Sequence, residues 1–331
     1  MSKSFRRWLE ESWYQDLYIS SAFMPLSMLY DDAMRFRRFC YRNNLLRKTR
    51  LSVPVIVVGN LTVGGTGKTP LVIFLADFLK KQGYQPGIIT RGYGGKSQQW
   101  PQTVTATSST EKVGDEAVLL AIRSGCPVVA GPDRPADGQR LIDEFGCNVI
   151  LCDDGLQHYA LERDIEIVVI DGERRFGNGY TLPCGPLREP ATRINSVDFV
   201  VVNGETTREH EFYMAVDGNV AVNLVTREEK KLQDFRGQCH AVAGIGNPKR
   251  FFDLLKLEKL NIKEQAFPDH YCYRAKDIHF KDSLPVLMTE KDAVKCQGFA
   301  DERHWYVPVK AFVQQQLTDL FLHKLKEKQR G

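Results

Sequence analysis

The stretch Val53-Pro54-Val55-Ile56-Val57-Val58-Gly59-Asn60-Leu61-Thr62-Val63-Gly64-Gly65-Thr66-Gly67-Lys68-Thr69-Pro70 decides how this chain is read. It opens on an apolar β-branched run, passes through a glycine-rich turn and ends in Gly67-Lys68-Thr69. Apolar residues at helical spacing follow: Leu71, Val72, Phe74, Leu75, Phe78 and Leu79. Strand, loop and helix in that order are the setting a phosphate-binding P-loop requires. Backbone N–H groups in such a loop converge on phosphate oxygens, and the helix start behind them adds partial positive charge. Lys68 can reach the β- and γ-phosphates, and the Thr69 hydroxyl can ligate Mg²⁺. Thr62 stands where the G-x-x-x-x-G-K-[ST] pattern has glycine. Gly64 and Gly65 are expected to supply the positive φ further along.

Working outward, apolar strands alternate with helical stretches. Strands are expected at Pro86–Thr90, 127–130, 148–152, 165–170 and 198–203. Helices are expected after the P-loop, over 117–122, and from Asp133-Arg134 to about Phe145. This alternation predicts an α/β fold with a mostly parallel sheet and helices on both faces. Ligands then gather at the carboxyl edge of the strands. There the chain carries Arg91-Gly92-Tyr93-Gly94-Gly95 and Asp153-Asp154-Gly155-Leu156-Gln157-His158. An apolar strand ending in Asp is the Walker B pattern, which sets a carboxylate beside the P-loop to hold Mg²⁺ directly or through water. Asp115, in Gly114-Asp115-Glu116, has two readings: a helix N-cap, or a carboxylate aimed from a helix start into the site. The long irregular stretch 173–193, rich in Gly, Pro and Arg, reads as functional.

The signal changes near residue 204. The run 212–216 and the run 220–225, joined by Asp217-Gly218-Asn219, read as a β-hairpin. The expected organisation is therefore a helical arm over 1–50, a P-loop core over 51–206, a β-ribbon linker over 207–225 and a smaller α/β lobe over 226–331. That last lobe is expected to hold strands at 240–243, 262–267, 286–288 and 305–307, and helices at 247–256, 290–296 and 311–326. His270, in Asp269-His270-Tyr271, reads from the residues alone as an ordinary loop histidine.

The whole chain has 331 residues, an ordinary apolar fraction and a net charge of +4, too small to argue for nucleic acid. Eight cysteines occur without a C-x-x-C pair, so neither a zinc site nor a disulfide framework is indicated, and a reducing compartment fits. The start carries no secretory signal pattern. Phe5, Trp8, Leu9, Trp13 and Leu17 fall at helical spacing, and after Pro25 come Leu26, Leu29, Tyr30, Phe36 and Phe39 with a basic block from Arg35 to Arg50. Two readings stand: an amphipathic arm lying on an anionic membrane, or one packed on its own domain.

In order along nearly the whole chain, these motifs resemble the tetraacyldisaccharide 4′-kinases, the lipid A 4′-kinases of Gram-negative bacteria. The resemblance rests on residues 59–70, Arg91-Gly92-Tyr93-Gly94, Gly114-Asp115-Glu116, Asp133-Arg134 and 153–158. It continues through Gly185-Pro186-Leu187-Arg188-Glu189-Pro190, Asp269-His270-Tyr271 and Thr289-Glu290-Lys291-Asp292. Thr62 is itself a trait of that family. The resemblance implies transfer of the γ-phosphoryl of ATP, with Mg²⁺, to the 4′-hydroxyl of a tetraacylated disaccharide 1-phosphate. It implies that Asp115 is the base, tuned by His270, with Lys68 and Arg188 neutralising phosphate. Thr62, Gly64, Gly65, Thr66, Gly67, Lys68, Thr69, Tyr93 and Gln157 would hold ATP, Arg134 would line the site, and Thr69, Asp153 and Asp154 would serve the metal. It further implies a monomer on the cytoplasmic face of the inner membrane, docked through its N-terminal helix to a lipid substrate, with no nucleic-acid partner. Two other classes compete. A P-loop GTPase or metallochaperone would need N-K-x-D, whose spacing Thr289-Glu290-Lys291-Asp292 lacks; a soluble small-metabolite kinase would need no amphipathic arm.

Overall fold

The computed structural model describes residues 12–14, 22–206 and 208–330. The helical spacing read at Phe5, Trp8, Leu9 and Leu17 lies outside the described residues. Helix α1 (Met24–Arg42) starts with Pro25 in its first turn, where a missing N–H costs nothing. Strand β1 (Val55–Gly59) is buried along its full length and leads through the P-loop into α2 (Lys68–Lys81). Next come β2 (Pro86–Thr90), β3 (Gln102–Val104), α3 (Thr110–Val113), α4 (Asp115–Ser124), β4 (Val128–Ala130) and α5 (Arg134–Phe145). They are followed by β5 (Val149–Asp153), β6 (Ile165–Asp171), β7 (Phe199–Asn203) and β8 (Glu211–Asp217).

Strands β8-β7-β6-β1-β5-β2-β4 lie side by side in parallel, and β3 closes one edge antiparallel. Alternate residues of β1 feed opposite faces, as a pleated strand must. Ile56 and Val58 join Leu71, Leu75 and Leu79 of α2 on one face, while Val55 and Val57 join Leu141 of α5 on the other. Both faces are therefore covered, the reason parallel strands read as unbroken apolar runs. The chain leaves β1 toward β2 on one side and later returns to β6 on its other side. This makes the carboxyl end of β1 a switch point, where α/β sheets bind ligands.

The second sheet is built from β9 (Val220–Asn223), β10 (Glu229–Lys231), β11 (Gln238–Ala243), β12 (Asn261–Ala266), β13 (Val286–Thr289) and β14 (His304–Val307). Its order is β10-β9-β14-β13-β11-β12. Helices α6 (Pro248–Leu257), α7 (Ala275–Ile278) and α8 (Glu290–Cys296) connect these strands. Phe251, Phe252 and Leu255 of α6 pack on Ala241, Leu287 and Trp305.

Two expectations fail here. The Asp217-Gly218-Asn219 turn does not close a hairpin: β8 pairs with β7, and β9 pairs with β10 and β14. The segment is a crossing from the first sheet to the second. Nor does the C-terminus belong to the second lobe. Strand β15 (Lys310–Val313) pairs antiparallel with β8, and α9 (Gln315–Arg330) buries Leu317, Phe321 and Leu325 in the first core. Residues 311–313, expected as the start of a helix, are edge strand.

Candidate active site

The P-loop is shaped by pairing with the 185–188 segment. Thr62 bridges Leu187, the Val63 N–H donates to the Pro186 carbonyl at 2.8 Å, and the Arg188 N–H donates to the Leu61 carbonyl at 2.6 Å. Position 62 is thus extended and paired, so it has no need of glycine. The positive φ comes later, at Gly64 (+101°) and Gly67 (+99°), and not at Gly65. Gly67 is also sterically obligatory: a Cβ there would lie 2.4 Å from Asn203 Nδ2, which donates to the Thr66 carbonyl at 3.0 Å.

Lys68 projects from the first turn of α2. Its ammonium lies 3.1 Å from Asn60 Oδ1 and 3.5 Å from Asp154 Oδ1. Asp154 follows β5 with φ +51°, a left-handed conformation uncommon outside glycine. One Arg188 nitrogen meets both Asp154 oxygens, at 3.0 and 2.9 Å. Burial opposes ionisation of Asp154, but Lys68 and Arg188 outweigh it and hold the carboxyl well below its usual range. Asp153 is the opposite case. It is buried and neither oxygen has a hydrogen-bond partner. Burial first, then Glu116, push its carboxyl up to about 7. An uncompensated carboxylate at a strand end beside a P-loop suits a hard cation. Arg134, expected to line the site, is fully buried behind it, donating to the Asp153 carbonyl at 3.2 Å and the Gly131 carbonyl at 3.3 Å. Gln157 is set apart from these contacts: its amide donates to Glu189 at 2.8 Å.

The second half of the site crosses the cleft. Asp115 is the first residue of α4, buried, and Gly114 at φ +89° occupies the cap position. Asp115 Oδ1 accepts the Glu116 N–H at 2.9 Å and the His270 Nδ1–H at 2.9 Å. The proton is assigned to Nδ1 because its partner is a carboxylate. His270 comes from the loop after β12, at φ +57°, and its ring lies tilted against that of the exposed Tyr93, with centroids 4.8 Å apart. Burial would raise the Asp115 pKa, yet His270, Lys291 and Lys295 prevail and keep it ionised. Lys291 of α8 reaches Glu116 at 2.9 Å and Asp269 at 3.1 Å, and these anions hold its pKa high against burial.

Both sheets thus direct their carboxyl ends into one cleft. Gly246, after β11, packs against the P-loop, where a Cβ would sit 2.5 Å from the Gly65 nitrogen. Reading the residues did not find Asn60, Glu116, Asn203, Lys291 or Lys295 as site members. Glu116 and Lys291 lay inside the quoted motifs, but they meet each other across 175 positions of sequence.

The switch-point P-loop, its paired cations and the carboxylate across the cleft define a phosphotransferase of the P-loop class. A family model for tetraacyldisaccharide-1-P 4′-kinase matches residues 19–326. The chain belongs to that family. It is 52% identical over 298 residues to the tetraacyldisaccharide 4′-kinase of Nitrosococcus oceani, covering 90% of this chain and 88% of that one. It is 47% identical to the Methylobacillus flagellatus protein of the same name, covering 98% of each. A crystal structure of LpxK from Aquifex aeolicus in complex with ATP superposes with a TM-score of 0.79 at 32% identity, covering 93% of this chain and 99% of that one.

Proposed function

We infer that this protein transfers the γ-phosphoryl of ATP to the 4′-hydroxyl of tetraacyldisaccharide 1-phosphate, a step of lipid A biosynthesis. Asp115 hydrogen-bonded to His270 across the cleft from Lys68 carries the reading of how it does so. Phosphoryl transfer is mostly positioning and charge neutralisation. The P-loop amides, Lys68 and Arg188 meet the phosphates of ATP. Asp115 accepts the proton of the sugar hydroxyl. In a loose transition state that proton leaves late, so an ionised, oriented carboxylate serves even at low basicity. His270 fixes the carboxylate's orientation from the other lobe, and Tyr93 backs the imidazole.

Thr69, Asp153 and Asp154 are the residues that would hold Mg²⁺, with Asp153 the direct candidate because Asp154 is already paired with Lys68 and Arg188. The ion would supply charge neutralisation on the β- and γ-oxygens.

The same chain would work at a membrane surface. No helix among the described residues is long and apolar enough to cross a bilayer. Helix α1 instead exposes Leu26, Met28, Leu29, Phe36 and Phe39, with Leu45 and Leu46 just beyond it and Arg35, Arg42, Arg47 and Arg50 exposed nearby. Apolar side chains ringed by cations favour the cytoplasmic leaflet, which carries the lipid acceptor.

The test is transfer from labelled ATP to detergent-solubilised tetraacyldisaccharide 1-phosphate. Asp115→Asn is expected to lower kcat by about 10²- to 10⁴-fold, the usual contribution of a general base, with KM for ATP held within a few-fold. A loss confined to ATP affinity would remove Asp115 from the chemistry.

A further inference from the structure

Helix α8 carries Lys291 and Lys295 one turn apart, so both project to the same side. Both reach out of the second lobe to the start of α4 in the first. Lys291 binds Glu116 and Asp269. Lys295 is 91% buried at its side chain, lies 3.6 Å from Asp115 Oδ2 and 2.9 Å from Asp292 Oδ1, and covers the Tyr273 ring at 5.0 Å. At the far end of the same helix pair, Arg123 of α4 meets Glu290 of α8 at 2.5 Å. Ion pairs thus tie α4 to α8 at both ends, and Asp115 sits at one of them.

We propose that Lys295 is a positioning residue for phosphoryl transfer, completing an Asp115–His270–Lys295 triad in which the second lobe holds both oxygens of the carboxylate. The proposal rests on Asp115 being the base. Its logic is geometric. His270 Nδ1 lies nearer Oδ1, at 2.9 Å, than Oδ2, at 3.2 Å, and Lys295 stands on the Oδ2 side. His270 reaches both oxygens, the Glu116 N–H adds a bond to Oδ1, and the Lys295 charge faces Oδ2 at ion-pair range, which together restrain the carboxyl plane. A buried ammonium is costly to maintain unless paired, and Asp292 alone would neutralise this one. Asp292 divides its oxygens: Oδ2 accepts the Gly244 N–H at 2.8 Å and the Thr289 hydroxyl at 2.6 Å, while Oδ1 faces Lys295. The extension of Lys295 toward Asp115 is what joins that second-lobe cluster to the reacting end of the cleft.

The charged groups around Asp115 set the sign of the test. His270 and Asp269 face it from the loop after β12, Lys291, Lys295 and Asp292 from α8, and Glu116 from α4 itself. Removing the Lys295 charge leaves burial and the neighbouring anions less opposed, so the Asp115 pKa rises. The working base is ionised, so the acid limb of the kcat profile moves to higher pH.

The experiment measures kcat against pH for wild type, Lys295→Met, Lys295→Arg and Asp115→Asn, with thermal melting and ATP binding on each. Lys295→Met is expected to lose roughly 10- to 100-fold in kcat, the scale of a misplaced catalytic group, with KM for ATP unchanged and the acid limb shifted upward. Lys295→Arg should restore the limb and part of kcat. A purely structural lysine would lower the melting temperature and scale kcat equally at every pH, which would overturn the proposal, as would an unaltered kcat. If Asp115→Asn is inactive while Lys295→Met keeps the wild-type profile, the triad alone falls. If Asp115→Asn is active, the base assignment falls first.

Discussion

At the residue scale the site is a contrast between two adjacent carboxylates. Asp154 is clamped by Lys68 and Arg188, while Asp153, one residue earlier, is buried without a partner. The last residue of a buried strand turns its side chain inward, and the next, at φ +51°, turns it out toward the P-loop. His158, four residues on, is packed near several cations. Burial, Arg134 and Arg91 push its imidazole down to about 4. Its folded pKa is thus below the unfolded value of about 6.5. The neutral ring contributes stability that is fully present above pH ~6.5 and is lost as pH falls toward ~4. His158→Gln should therefore flatten the loss of stability between those limits, by as much as about 3 kcal/mol at about 1.4 kcal/mol per unit. Urea melts of both proteins at pH 7.5 and 4.5 check it, and equal differences at both pH values would contradict it.

Much of this residue-level picture was legible. Gly67-Lys68-Thr69 announced phosphate binding, and Asp153-Asp154 announced a carboxylate beside it, because both are local patterns with local causes. His270 was not legible from the residues, since a loop histidine gains meaning only from Asp115, 155 positions away. Family resemblance supplied that pairing. Lys295 was missed altogether: a helical lysine reads as solvent-exposed, and only the packing of α8 on α4 buries it.

At the scale of elements, α1 joins two surfaces. Its outer face is apolar and exposed. Its inner face is hydrogen-bonded to the segment that shapes the P-loop. Ser27 Oγ donates to the Thr181 carbonyl and accepts the Cys184 N–H, each at 2.9 Å. The Tyr30 hydroxyl donates to the Arg188 carbonyl at 2.9 Å. Of the two readings of the arm, the contacts of Ser27 and Tyr30 show the packed one, and the exposed side leaves the membrane-lying one open to the proposal above, because one helix has a face for each. Two aspartates in place of Phe36 and Phe39 would remove apolar area and add charge at the proposed lipid face. Binding to vesicles containing anionic lipid should fall at least tenfold, while the melting temperature changes by no more than a few degrees, since both rings are exposed. Undiminished vesicle binding in a sedimentation assay would remove α1 from the membrane interface.

For the whole molecule, the division into lobes is less simple than chain order suggests. The chain passes from the first sheet into the second after β8, then comes back, and its last strand pairs with β8 while α9 covers the first core. Alternating apolar strands predicted two sheets correctly. The return was invisible because an amphipathic helix does not record which core its apolar face will meet. The consequence is that the second lobe is tethered at both ends to the first, at Asp217-Gly218-Asn219 and at Pro308-Val309. The two tethers lie side by side on neighbouring strands, and the Asp115–His270 hydrogen bond joins the lobes again across the cleft. Phe321 tests the topology. It is fully buried between Phe78 of α2 and Phe199 of β7, with ring centroids at 6.2 and 6.4 Å. Phe321→Ala should cost about 3–5 kcal/mol, the range for a buried aromatic truncated in a core. Because the cavity opens against α2, hydrogen exchange should accelerate in α2 and β7 before it does in β11 and β13. If α9 belonged to the second lobe instead, the order would be reversed.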